Sequence, residues 1–160
     1  MAKVPVQFTL NGAEKAEFVD SGATLLTLLR TKAADMSVKG GCHQGACGAC
    51  SVLIDGELRL SCLTLAEAYD GARIETLAGL AERGVLTALQ TAFADHAATQ
   101  CGFCTPGMIM AAKALLDHNP QPTRNDVVEA ISGNICRCTG YEPIIRAVLS
   151  AARANAVGAA

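Results

Sequence analysis

Eight cysteines occur in the chain, and the first four have the spacing of an iron–sulfur ligand set. Four residues separate the first two cysteines, two residues separate the next two, and eleven residues precede the last. The pattern C-x4-C-x2-C followed by a distant cysteine is typical of plant-type [2Fe–2S] proteins. Glycines in this segment allow backbone N–H groups to approach the sulfurs of a cluster closely. We define this set as site I, and its predicted ligands are Cys42, Cys47, Cys50 and Cys62.

Zinc and disulfide bonds are the alternatives at site I. A structural zinc site usually has two C-x2-C pairs, whereas site I contains only one such pair. Disulfides are rare in reducing compartments, and no signal-peptide pattern precedes the first strand-like segment near Val4. We therefore favour an iron–sulfur cluster at site I and expect the protein in the cytoplasm.

The other four cysteines form a C-x2-C pair and a C-x-C pair that are 31 residues apart. This spacing alone leaves zinc open, because tetrahedral sulfur sites bind both zinc and iron–sulfur clusters. The C-x-C pair is less usual for zinc, and two complete sets of four cysteines favour a second cluster. We therefore predict two [2Fe–2S] clusters. The second set is site II, with Cys101, Cys104, Cys136 and Cys138 as its predicted ligands.

The first half of the chain has the pattern of a small sheet. Apolar residues alternate over residues 4–10, and Asn11-Gly12 is a strong hairpin-turn signal. Site I lies between a short leucine-rich helix and the later strands, so an α+β sheet packed on one helix must position it. The predicted elements are strands at 4–10, 16–19, 51–54, 58–60 and 73–76 and a helix at 24–30.

The second half has the spacing of helices, and both cysteine pairs of site II are predicted at helix ends. Thr105 is the predicted N-cap of a helix with Pro106 in its first turn, and residues 123–126 resemble a capping box. The residues after Ala154 are expected to form a mobile tail. The change of period near Leu77 predicts two domains, at residues 1–77 and 78–160. The predicted helices begin near residues 86, 105, 123 and 143 and end near 97, 118, 132 and 154.

Composition excludes some partners. The net charge is −2 and no basic block occurs, so we expect neither nucleic acid nor a membrane surface as a partner. No apolar stretch is long enough to span a bilayer. The apolar fraction of 51% with 4% aromatics fits either ordinary alanine-rich helices or a large buried interface. The charge-poor segment 100–114 is the expected interface segment.

Three segments together resemble the signatures of one family: residues 41–50, 100–107 and 133–141. In these motifs the chain resembles the iron–sulfur small subunits of the molybdenum hydroxylases, which include xanthine dehydrogenase, aldehyde oxidoreductases and aerobic carbon monoxide dehydrogenase. The resemblance covers about residues 3–153. It implies an N-terminal β-grasp, ferredoxin-like domain followed by a C-terminal four-helix bundle.

The resemblance also implies an electron-transfer subunit without catalytic residues of its own. A large partner subunit would hold the molybdopterin cofactor and oxidise the substrate, and a medium subunit would hold FAD. Site II would lie nearest the molybdenum, with Gln100 and Cys138 beside the pterin, and site I would lie nearer the flavin. The alternatives are a free soluble two-cluster ferredoxin and a zinc-stabilised interaction module.

Overall fold

A five-stranded mixed sheet and one α-helix form the first half of the molecule. The computed structural model describes residues 2–81 and 84–158, and residues 156–158 are described by their backbone only. The strand order is β2-β1-β5-β3-β4, and β1 pairs with β2 in antiparallel and with β5 in parallel orientation. This is the expected β-grasp arrangement. The elements are β1 Lys3–Leu10, β2 Ala13–Asp20, α1 Leu25–Thr31, β3 Ser51–Ile54, β4 Glu57–Leu60 and β5 Arg73–Glu75.

The hairpin between β1 and β2 sets the register of the sheet. Asn11 and Gly12 have φ angles of 51° and 83°, as a two-residue hairpin turn requires. The pairing of β1 with β2 runs without interruption from Leu10 opposite Ala13 to Lys3 opposite Asp20. The second strand is therefore longer than the predicted strand at 16–19, because backbone pairing extends through its polar, exposed residues.

α1 supplies the buried leucines of this half. Thr24, predicted inside the helix, is instead its N-cap and accepts a hydrogen bond from the Thr27 N–H group. The buried side chains of α1 pack against those on one face of β1, which alternate as predicted. The core residues contributed by α1 and β1 are Leu25, Leu26, Leu28, Leu29, Val6, Phe8 and Leu10.

Four helices form the second half, in agreement with the expected bundle. They are α2 Ala88–Asp95, α3 Thr105–His118, α4 Arg124–Ala130 and α5 Glu142–Gly158. α2 is shorter than predicted because Thr87 is its N-cap and forms a capping box with Gln90. The segment after Ala154 is helical as far as Gly158, and residues 159–160 lie outside the described residues, so the mobility predicted for this tail stays a prediction.

Two predicted helix ends also need correction. The N-cap position of α3 is Cys104 and not Thr105, and no side chain caps this helix. The capping box at Thr123 and Asp126 is confirmed, but α4 ends at Ala130, before the predicted end near residue 132. None of the helices in the described ranges is long and apolar enough to cross a membrane.

α3 joins the two halves because it packs against β3 of the sheet as well as against the other helices. A side chain at Gly107 in the first turn of α3 would collide with the carbonyl oxygen of Gly48, so only glycine permits this approach. The buried Asn134 side chain donates a hydrogen bond to the same oxygen at 3.0 Å. Each half has its own hydrophobic core, and the boundary at residue 77 stays a prediction.

Candidate metal centres

The site I loop lies between α1 and β3 and has no regular secondary structure. His43, Gly45 and Gly48 have φ angles of 57°, 79° and 69°, which turn the chain back on itself. An added Cβ on Gly41 would lie 2.9 Å from Cys47 Sγ, so the backbone here passes close to a thiol. Gly41 therefore allows the close approach of the backbone to a thiol that the sequence predicted, and Gly45 and Gly48 allow the turns of the loop.

Two backbone N–H groups point at the first thiol of site I. Cys42 Sγ accepts hydrogen bonds from the N–H groups of Gln44 at 3.5 Å and of Ala46 at 3.3 Å. These donors lower the pKa of the Cys42 thiol to about 6, and the neighbouring Cys47 thiol contributes in the same direction. Donors aimed at sulfur are the environment that a negatively charged thiolate ligand requires.

The other two thiols of site I meet next to the β3–β4 ladder. Ser51 pairs with Leu60 in that ladder, and the Ser61 hydroxyl donates a hydrogen bond to the Cys50 carbonyl at 2.8 Å. This register places Cys62 beside Cys50. Burial, followed by the interaction with Cys62, raises the pKa of the Cys50 thiol to about 11. Site I thus consists of a more exposed pair, Cys42 with Cys47, and a buried pair.

Site II has the same division into two pairs. Cys101 and Cys138 form an exposed outer pair with a distance of 3.8 Å between their Sγ atoms. The Cys101 thiol raises the pKa of Cys138. Cys104 and Cys136 form an inner pair, and burial together with the neighbouring Cys136 thiol raises the pKa of Cys104 to about 12. Cys101 and Cys104 lie just before α3, and Cys136 and Cys138 lie in the loop between α4 and α5.

Residues of the α4–α5 loop surround Cys136. The Thr139 hydroxyl donates a hydrogen bond to Cys136 Sγ at 3.1 Å. Burial of Cys136 raises the pKa of its thiol, but the hydrogen bonds from Thr139 and Cys138 outweigh burial and the net shift is downward. The Tyr141 hydroxyl accepts from the Cys136 N–H group at 2.9 Å and donates to the Asn134 carbonyl at 3.2 Å. Neither Thr139 nor Tyr141 was predicted from the sequence as a functional residue, although both lie in the third motif.

The pairing of the thiols is the test of whether a cluster fits. A [2Fe–2S] cluster has two irons, each with two protein ligands, so its four cysteines must meet two by two. Both sites have this arrangement. Over residues 2–81 and 84–158, no three His, Cys, Asp or Glu side chains converge as donors to a single ion. The donor sets therefore fit binuclear clusters better than mononuclear zinc.

The two residues predicted to face a pterin lie together at the surface. The side-chain amide of Gln100 donates a hydrogen bond to the Cys138 carbonyl at 3.2 Å, and both residues are exposed. The charge-poor segment 100–114 was expected to form an interface, and its middle part does not fit that expectation. Pro106 to Ala112 are buried inside the chain's own core, because this part of α3 is packed between the two halves.

Exposed apolar side chains lie beside the cysteines of both sites. Leu63, Phe103 and Ile135 are 63%, 49% and 55% exposed, and each is adjacent in sequence to a predicted ligand. Phe103 approaches Gly41 and Leu63 approaches Gly45, both in the site I loop. Ile135 donates its N–H group to the Cys47 carbonyl at 2.9 Å. These three are among nine exposed large apolar side chains in the described residues, so part of the exposed apolar surface borders the two sites.

Family models identify two iron–sulfur domains in the chain. The model described as "2Fe-2S iron-sulfur cluster binding domain" matches residues 8–81. The model described as "[2Fe-2S] binding domain" matches residues 76–149. The chain therefore contains two [2Fe–2S]-binding domains, as the two cysteine sets predicted.

Curated relatives and solved structures match nearly the full chain. The nicotine 6-hydroxylase small subunit of Paenarthrobacter nicotinovorans is 48% identical over 93% of this chain and 90% of its own length. The nicotinate dehydrogenase small FeS subunit of Eubacterium barkeri is 47% identical over 92% and 94%. A chain of quinoline 2-oxidoreductase from Pseudomonas putida 86 superimposes with a TM-score of 0.93, at 44% identity and 98% coverage of both chains.

Proposed function

Because this chain belongs to the family of the iron–sulfur small subunits of the molybdenum hydroxylases, we propose that it relays electrons from a large molybdopterin-binding subunit to FAD or another acceptor. The main support is the contact between the two cysteine sites. The Ile135 N–H group, next to Cys136 of site II, donates a hydrogen bond to the carbonyl of Cys47 in site I. A relay needs two redox sites held at a short, fixed separation, and this contact provides that constraint.

The proposed ligands are the eight cysteines in their two sets. When bound, a [2Fe–2S] cluster at each site supplies one-electron redox chemistry. The chain itself supplies the thiolates and the hydrogen-bond donors that compensate their charge. At site I these donors are the N–H groups of Gln44 and Ala46, and at site II the donor is the Thr139 hydroxyl.

The outer edge of site II is the proposed contact with the molybdopterin subunit. Gln100 and Cys138 are exposed, joined by a hydrogen bond, and adjacent to the outer thiol pair. In this proposal they lie beside the pterin, with no catalytic residue in this chain. An FAD-binding subunit on the side of site I and a cytoplasmic location are further parts of the proposal. The substrate is a property of the large subunit, so the substrates named for the relatives are not assigned here.

Purification from the native host with a tag on this chain tests the proposal. We expect a larger chain to co-purify, with molybdenum in the complex and about four irons and four inorganic sulfides per copy of this chain. Native mass spectrometry would identify the partners and also show whether a flavin subunit is present. An iron-loaded monomer without a partner would instead support the free ferredoxin. Stoichiometric zinc with little iron would support the interaction module.

A further inference from the structure

Thr139 is the side-chain hydrogen-bond donor to the inner thiol pair of site II. Its Oγ1 atom lies 3.1 Å from Cys136 Sγ and 3.3 Å from the Tyr141 nitrogen. The Tyr141 N–H group donates to Oγ1, which leaves the hydroxyl proton to point at the sulfur. A thiolate has no proton to donate, so the direction of the bond is fixed when Cys136 is a ligand.

The hydrogen bond from Thr139 lies in the buried part of site II, and burial increases its electrostatic effect on the sulfur. Cys136 is buried, whereas the outer pair Cys101 and Cys138 is exposed to solvent. A hydrogen bond is electrostatically stronger in a buried, low-dielectric environment than in water. One-electron reduction adds a negative charge that is shared with the ligand sulfurs. A donor to one of those sulfurs therefore stabilises the reduced form more than the oxidised form.

We propose that Thr139 is a positioning residue that raises the reduction potential of site II through its hydroxyl hydrogen bond to Cys136 Sγ. This inference rests on the proposed function, since it requires a cluster at site II. It concerns the setting of the potential and not assembly of the site. The backbone N–H groups of Cys138 and Thr139 also lower the pKa of Cys136, and they remain when the hydroxyl is removed.

Redox titration of the purified complex, followed by paramagnetic resonance, tests the proposal. Thr139→Val keeps the shape of the side chain but removes the hydroxyl, and Thr139→Ser keeps the hydroxyl. Thr99→Val is the matched control, because the Thr99 hydroxyl contacts the Thr105 hydroxyl and not a sulfur. The Cys47→Ser variant identifies which signal belongs to site I.

Thr139→Val should make the site II midpoint more negative, with about a tenfold change in the one-electron equilibrium, which corresponds to about 59 mV. The site I midpoint should not change, and Thr139→Ser and Thr99→Val should match the wild type. An iron-loaded Thr139→Val variant with an unchanged site II midpoint would overturn the inference and leave the proposed function intact. A wild-type protein without iron would overturn the proposed function itself.

A second variant covers the case in which valine disturbs the loop. If Thr139→Val lacks iron at site II, Thr139→Ala, which is smaller, is titrated and should show the same negative shift. Loss of site II iron in both variants, with site I retained, would overturn the inference. That result would show that Thr139 is needed to assemble the site.

Discussion

Gln100 and Cys138 are joined by a hydrogen bond of 3.2 Å from the side-chain amide of the first to the main-chain carbonyl of the second. The bond links the loop before α3 to the loop before α5. These two loops hold the outer thiols, Cys101 and Cys138, whose sulfurs are 3.8 Å apart. One glutamine side chain thus fixes the two segments that the proposed function places against the molybdopterin subunit.

Replacement of Gln100 should therefore slow electron entry without removing iron. In Gln100→Ala we expect substrate to reduce the chain about 10- to 100-fold more slowly, as is typical for residues that support ligands from outside the metal site. Rapid mixing with substrate measures this rate. Gln121→Ala is the matched control, because Gln121 is exposed in the α3–α4 connection, at the opposite end of α3. Unchanged reduction rates in Gln100→Ala would count against a pterin contact there.

Loss of one site I ligand should leave site II loaded. Cys47→Ser removes a thiol but keeps the Cys47 carbonyl that accepts the Ile135 N–H group, so the contact between the halves persists. We expect about two irons per chain instead of about four, and one of two paramagnetic resonance signals. Loss of both signals from a soluble variant would show that the two halves cannot assemble their sites separately.

Gly107 and Gly133 form a matched pair for a test of the packing between the halves. A Cβ at position 107 would collide with the Gly48 carbonyl, whereas a Cβ at position 133 would meet nothing within 4 Å. Gly107→Ala should lower the free energy of unfolding by about 1–3 kcal/mol through overpacking. Gly133→Ala should be close to neutral. Thermal unfolding of the iron-loaded proteins compares them, and equal midpoints would contradict this account of α3.

Asn134 should matter for stability although it holds no metal. Its buried amide donates to the Gly48 carbonyl, which also accepts from the N–H group and the hydroxyl of Ser51, so Asn134→Ala removes one of three hydrogen bonds to that oxygen. We expect a loss of about 0.5–1.5 kcal/mol in the free energy of unfolding. Asn125→Ala, an exposed change in α4, should stay within about 0.5 kcal/mol of the wild type. The rate of iron release to a chelator is a second measurement, and it should rise for Asn134→Ala at both sites.

Local patterns predicted the elements and the cysteine sets well. The hairpin at Asn11-Gly12, the helix after Thr24 and the capping box at Thr123 depend on neighbours within a few residues, and the structure has all three. The cysteine spacing predicted two domains of the [2Fe–2S] type, which the family models bear out. The individual ligands and the pterin contacts remain predictions.

The sequence could not predict features that depend on distant segments. The apolar residues 106–112 fit a partner surface as well as a core, and only the fold shows that β3 and the other helices cover them. The hydrogen bond from Asn134 to Gly48 spans 86 residues of sequence and has no local signal. The role of Thr139 depends on a turn in which Tyr141 has a φ angle of 68°, a conformation that non-glycine residues rarely adopt.

The packing around Gly48 has a consequence for recombination between relatives. Gly48 has a φ angle of 69°, contacts Gly107 of α3 and accepts the Asn134 amide, so three distant parts of the chain meet at one glycine. A chimera that takes its first half from one relative and its second half from another must preserve all three residues at once. Each half has its own cysteine set and its own core, yet a half from one relative should fit a half from another only if Gly48, Gly107 and Asn134 are all present.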